Sequence, residues 1–153
     1  MTTRLNPFTT APEILKAMLD LSAKVEASGI EHSLGELVKI RASQINGCAN
    51  CLHMHTRDAR AAGETEERLH LLAAWREAPG FSERERAALA WTEALTLVAD
   101  THAPDADYEL IKAVFTAKEQ VELTALIVTI NAWNRFAVGF RIQPAVKAQA
   151  SAA

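Results

Sequence analysis

Ser33-Leu34-Gly35-Glu36-Leu37-Val38-Lys39-Ile40-Arg41-Ala42-Ser43-Gln44-Ile45-Asn46-Gly47-Cys48-Ala49-Asn50-Cys51 is the stretch from which the fold can be read. Leu34, Leu37, Val38 and Ile45 fall on one face at helical spacing, with Ser33 placed to cap the helix. Asn46-Gly47 then breaks it. A new helix should start near Cys48 and stop at Gly63. The CxxC pair therefore sits at a helix–helix junction. It is not embedded in a βαβ pattern, which disfavours a thioredoxin fold.

The same all-helical reading extends outward. Upstream, Thr9 or Thr10 is a candidate cap, Pro12 lies in the first turn, and Gly29 follows the end. Ile14, Met18, Leu21 and Val25 give that helix an apolar stripe. Downstream, Glu64 to Glu77 reads as a helix with Leu69, Leu72, Ala73 and Trp75 apolar. Pro79-Gly80 is a turn. Ser82 with Glu85 is a capping box opening a helix to about Asp100. Asp105 is a candidate cap for a short helix through Phe115. Thr116 with Glu119 is a second box, opening a long apolar helix to about Phe140. The two boxes share a pattern, Phe-Ser/Thr-x-x-Glu-x-x-x-Leu, which is a common helix-start signal and not a solenoid repeat. Pro144 and a small-residue tail predict fraying over residues 143–153.

Length and charge set bounds. At 153 residues, one domain over 1–153 with its core at about 10–142 is expected. The net charge of -3, with both signs interspersed, leaves no basic stripe for nucleic acid. The longest apolar run, Leu123 to Ile130, is too short to span a bilayer. Residues 1–10 have no apolar signal-peptide core, so no membrane role and a cytoplasmic address are expected. In such a compartment a close cysteine pair is catalytic or metal-binding more often than a structural staple. The helix Val121–Phe140 is apolar on more than one face, through Leu123, Leu126, Ile127, Val128, Ile130, Trp133, Phe136 and Val138. Part of that surface should be covered by another subunit. Trp75, Trp91 and Trp133 read as core or interface.

The chemistry centres on Cys48, Cys51 and His55. At about 100° per residue they fall within roughly 60° of one another, while His53 points away. A helix start favours a thiolate through its free N–H groups and positive dipole end. An imidazole one turn on can accept the thiol proton. It needs an orienting carboxylate, and Asp58 and Glu36 are both available. By amphipathicity Glu36 lies opposite the Leu34-Leu37-Val38 stripe and faces solvent. Zinc bound by Cys48, Cys51, His55 and Glu36 or water is an alternative, as are inert buried thiols. No dinucleotide, P-loop, zincin or nucleophile-elbow motif is present.

Residues 36–55, from Glu36-Leu37-Val38 to His53-Met54-His55, resemble the alkylhydroperoxidase D-like branch of the carboxymuconolactone decarboxylase superfamily, peroxidase-related type. Glu36 lies twelve residues before Cys48, and Ala61-Ala62-Gly63 ends the helix. Phe81 to Leu89 and Ile130-Asn131-Ala132-Trp133-Asn134-Arg135 match the stretches that follow. The resemblance implies an all-α bundle, assembled as a homo-trimer or hexamer, that reduces hydroperoxides with thiols. It implies Cys51 as the attacking thiol and Cys48 as the resolving one. It implies His55 and Glu36 as a proton relay, which would turn Glu36 inward. It implies no bound cofactor, only an external dithiol reductant of thioredoxin or lipoyl type. One residue departs from the pattern: Asn50 stands where the best-known members have histidine. A disulfide reductase or redox sensor with little peroxidase turnover, or a metal-binding structural oligomer, are the alternative functions.

Overall fold

The computed structural model describes residues 2–146, which contain helices and no strand. Asn6 caps a first short helix, α1 (Pro7–Thr10), by accepting the Phe8 N–H at 3.0 Å. The next, α2 (Pro12–Glu26), follows directly behind Ala11 with no side-chain cap. Thr9 and Thr10 therefore do not cap it; their hydroxyls donate to the Asn6 carbonyl. Then come α3 (His32–Asn46), α4 (Ala49–Ala61), α5 (Glu66–Leu71) with a 3₁₀ turn at Leu72–Ala74, α6 (Glu83–Thr96), α7 (Val98–Thr101), α8 (Asp105–Val114) and α9 (Ala117–Phe140).

Both expected capping boxes are formed. Ser82 accepts the Glu85 N–H, and Glu85 accepts the Ser82 N–H at 2.7 Å. Thr116 and Glu119 repeat the exchange at the start of α9. The Thr116 N–H, its hydroxyl and Arg84 hold the Glu119 carboxyl down at about 2. Four boundaries differ from the sequence expectation. Helix α8 starts behind Pro104, so Asp105 is its first residue and not its cap. Helix α3 begins at His32 behind Glu31, without a side-chain cap from Ser33. The helix expected over residues 64–77 is shorter, because it tightens into the 3₁₀ turn after Leu71. The helix expected to reach Asp100 breaks at Leu97 into α6 and α7.

Helix α3 lies at the centre, packed on α4, α6 and α9. Its residues are buried in several directions. Leu34 and Val38 join Trp91, Leu123 and Ile127. Leu37 and Ile40 join Leu69, Leu72, Trp75 and Leu89. Ala42 meets Cys48, Cys51, Ile130 and Ala137. A helix covered on several faces has no single apolar stripe, so its amphipathicity misleads. On α2 the buried positions are Leu15 and Val25, whereas Ile14 and Leu21 of the expected stripe are 54% and 43% exposed. Ala73, expected among the apolar packing residues, is also exposed.

Trp75 and Trp91 are core residues with their N–H groups satisfied, by Glu93 at 2.7 Å and Thr124 at 3.0 Å. Trp133 is only half-buried and donates to Ser22 at 2.8 Å. Helix α9 as a whole has the length and apolar composition of a membrane span, which counting uninterrupted apolar residues overlooked. Its Leu123, Leu126, Ile127 and Ile130 are packed in the core. The tail expected to fray lies largely outside the described residues.

Candidate active site

The junction between α3 and α4 is shaped by Gly47. Its φ of 65° is the left-handed conformation that ends a helix, and a side chain there would be strained. The turn closes with the Gly47 and Cys48 N–H groups donating to the carbonyls of Gln44 and Ser43. A buried amide network fastens it from below. Asn46 donates to the side-chain oxygens of Asn131 at 2.9 Å and Asn134 at 2.8 Å. Asn134 in turn donates to Ser43, and Asn131 to Thr96. Asn46 is half-buried and its partners are buried, each polar group is satisfied, and together they tie the cysteine-bearing turn to α9 and α6.

Cys48 is the N-cap of α4, and its sulfur accepts the Cys51 N–H at 3.2 Å. Any negative charge on that sulfur is therefore stabilised by the helix start. The two cysteines are joined as a disulfide, with Cα atoms 5.4 Å apart. Both are buried, but only Cys51 lines a cleft of about 350 Å³. Leu126, Ile130, Trp133 and Phe136 of α9 form one wall of the cleft. Phe8 closes over it from α1, stacked on Trp133 with ring centroids 6.1 Å apart. Glu26, Lys39, Asn50 and His55 are among the polar residues of its lining.

His55 follows Cys51 by one helical turn and lines the same cleft. Its Nδ1 lies 3.0 Å from Oε2 of Glu36. Glu36 is 2% exposed, so the solvent-facing position suggested by amphipathicity is wrong and the inward one implied by the family resemblance is correct. The reason is α4, which packs on the face of α3 that carries it. Burial pushes the Glu36 carboxyl up, but the hydrogen bonds from His55 and Lys39 and the Lys39 charge outweigh it, leaving the group below its ordinary range. An ionised Glu36 accepts the Nδ1 proton, which leaves Nε2 of His55 as the basic atom.

The other carboxylate considered, Asp58, pairs with Arg57 and is not the partner of His55. His53 is half-buried and does not line the cleft. Asn50 lines it and points its amide at the Met54 sulfur, 3.6 Å away. In this disulfide-bonded form the zinc set is not assembled. The two sulfurs are bonded to each other, and both oxygens of Glu36 are engaged, Oε2 by His55 and Oε1 by Lys39 at 2.5 Å. Glu26, His32 and Glu36 also bring donor atoms together, but the two carboxylates are already paired with the Lys39 ammonium. Lys39, Glu26 and the aromatic wall were not anticipated from the sequence. The available signal was Lys39 itself, a cation between apolar Val38 and Ile40 and one turn after Glu36.

Residues 12–94 match the model of the carboxymuconolactone decarboxylase family. The chain belongs to that family. A Bacillus subtilis relative, the uncharacterised protein YdfG, is 40% identical over 147 residues, covering 96% of this chain and all of the relative. A solved structure from Agrobacterium tumefaciens, of unknown function and designated an AhpD-type antioxidant defence protein, superposes with a TM-score of 0.93. It is 45% identical and covers 95% of this chain and 100% of its own. Within the family this chain is therefore AhpD-like. The debrominase Bmp8 shares the fold at a TM-score of 0.78 and 18% identity, covering 90% of this chain and 74% of its own. A shared fold does not fix the chemistry, and the reaction has to be argued from the site.

Proposed function

We propose that the chain is a thiol-dependent peroxidase that reduces organic hydroperoxides. The observation that carries this is Cys51 opening into the cleft beside His55, whose Nδ1 is held by buried Glu36. His55 takes the Cys51 thiol proton at Nε2. The thiolate attacks the terminal peroxide oxygen, the O–O bond breaks, and Cys51 becomes a sulfenic acid. The alkoxide leaves as the alcohol, protonated by the imidazolium. The Cys48 sulfur then attacks the Cys51 sulfur; the S–S bond forms and the hydroxyl leaves as water. Two thiol–disulfide exchanges with an external dithiol, of thioredoxin or lipoyl type, restore both thiols and oxidise the dithiol.

Asn50 cannot relay a proton, so in this scheme His55 moves the proton between Cys51 and the leaving alkoxide, while Glu36 orients and balances it. The test is dithiol-coupled consumption of cumene hydroperoxide by the wild-type chain. Turnover well above the free-dithiol background supports the peroxidase. Consumption at background level, with a disulfide that the dithiol still reduces, leaves the disulfide reductase or redox-sensor reading instead. A reducing, cytoplasmic setting suits a pair that must be recycled by dithiols.

We also propose that the chain works as a homo-oligomer, a trimer or hexamer. Val121 and Val128 on α9 are 70% and 56% exposed, and Ile14 and Leu21 repeat the seven-residue spacing on neighbouring α2. Apolar residues in such rows mark an interaction surface. Light scattering at micromolar concentration should give a multiple of 16.7 kDa. A monomeric mass would contradict the proposal.

A further inference from the structure

We propose that Lys39 is a positioning residue: its buried ammonium, set between Glu26 and Glu36, keeps Glu36 an ionised acceptor for His55 and so makes the imidazole a base for Cys51. The chemical purpose rests on the peroxidase reading; the geometry does not. Lys39 lies in mid-α3 between Val38 and Ile40, which are 0% and 1% exposed. Its Nζ is 2.5 Å from Oε1 of Glu36 and 3.1 Å from Oε2 of Glu26. The other Glu36 oxygen, Oε2, holds His55. One carboxylate thus joins the lysine to the imidazole that borders the cleft.

Stability alone is a weak reason for this pairing. A buried ion pair recovers little more than the cost of removing its charges from water. What it does supply is a fixed charge state. Without Lys39, Glu36 would be a buried carboxyl with His55 as its hydrogen-bond partner; His32, at 3.8 Å, is beyond hydrogen-bond range. Desolvation would then favour the protonated acid. A protonated Glu36 no longer balances an imidazolium, and His55 loses the charge that makes it a base. The ionisable groups around Lys39 are Glu26 from α2, His32 and Glu36 from α3, and His55 from α4. The α9 residues lining the same cleft, such as Leu126, Thr129 and Ile130, do not titrate.

The test uses the Cys48→Ser chain, in which serine is a good helix cap and Cys51 is the sole thiol. Iodoacetamide alkylation of Cys51 is followed against pH, alone and combined with Lys39→Met or Lys39→Arg. The Glu36 carboxyl is followed by carbon-13 NMR in the same proteins. With Lys39→Met, the pH of half-maximal alkylation should rise by about one unit and the rate near neutrality should fall about tenfold. The Glu36 carboxyl should titrate at higher pH by a similar margin. Lys39→Arg keeps the charge and should restore most of both.

A folded Lys39→Met chain with unchanged alkylation and carboxyl titrations would overturn the proposal. Should Lys39→Met not fold, the unsubstituted site decides: Glu36 must stay ionised below the ordinary carboxylate range, and titration at or above that range overturns the proposal. Peroxide takes no part in alkylation. Failure of the peroxidase reading would appear separately, as absent turnover beside an intact alkylation profile.

Discussion

Cys51→Ser should lower dithiol-coupled hydroperoxide consumption to the free-dithiol background, a loss of at least about a thousandfold. The reason is chemical. A serine hydroxyl in the same place is not ionised near neutrality and cannot be oxidised and re-reduced as sulfur can. The fold should survive, because the substitution removes little volume from a site whose neighbours include Ala42, Ile130 and Ala137. Circular dichroism of the variant should match wild type while turnover is lost. Retained turnover would move the reacting atom away from Cys51.

Glu36→Gln should affect both rate and stability. Glutamine keeps the shape but removes the charge that orients and balances His55. Cys51 oxidation by peroxide, measured by stopped flow, should slow about a hundredfold. The substitution also leaves the Lys39 ammonium with Glu26 as its carboxylate partner, on the rim of the protein. Loss of a buried charge partner costs about 3 kcal/mol, read as a lower denaturant midpoint.

The pH dependence follows from the direction of the Glu36 shift. The carboxyl titrates below its ordinary value of 4.5 in the folded chain. Its stabilising contribution is therefore fully present above that value. It is lost as pH falls through the lower folded value. Wild type should lose stability across that acid window, and Glu36→Gln should lose less. Glu119, held at about 2 by Thr116 and Arg84, titrates in the same direction and should remain in the variant.

Much of this architecture was legible because it is local. A capping box needs two residues three apart, so Ser82 with Glu85 and Thr116 with Glu119 announced α6 and α9 directly. Gly47 announced the break before the cysteines, and one helical turn placed Cys51 and His55 together. Features that depend on tertiary cover were less legible. Glu36 belongs to a helix enclosed by α4, α6 and α9, so a rule based on one wet face placed it in solvent. The α2 stripe held only in part, for a related reason: Val25 is buried and Met18 half-buried as expected, but Ile14 and Leu21 are exposed. Leu15, outside that stripe, is buried in their place, and only packing distinguishes it from its neighbour Ile14. Lys39, Glu26 and the wall of Trp133 and Phe136 meet from α2, α3 and α9, a convergence that no local spacing encodes.

The central claim is that Cys51 is the sulfur that meets the peroxide. Its most direct test is to treat the reduced Cys48→Ser chain with one equivalent of cumene hydroperoxide, trap with dimedone, and locate the adduct by mass spectrometry. Without its resolving partner, Cys51 should accumulate as the sulfenic acid and carry one dimedone per chain. A chain that consumes no peroxide and gains no adduct at Cys51 would contradict the account.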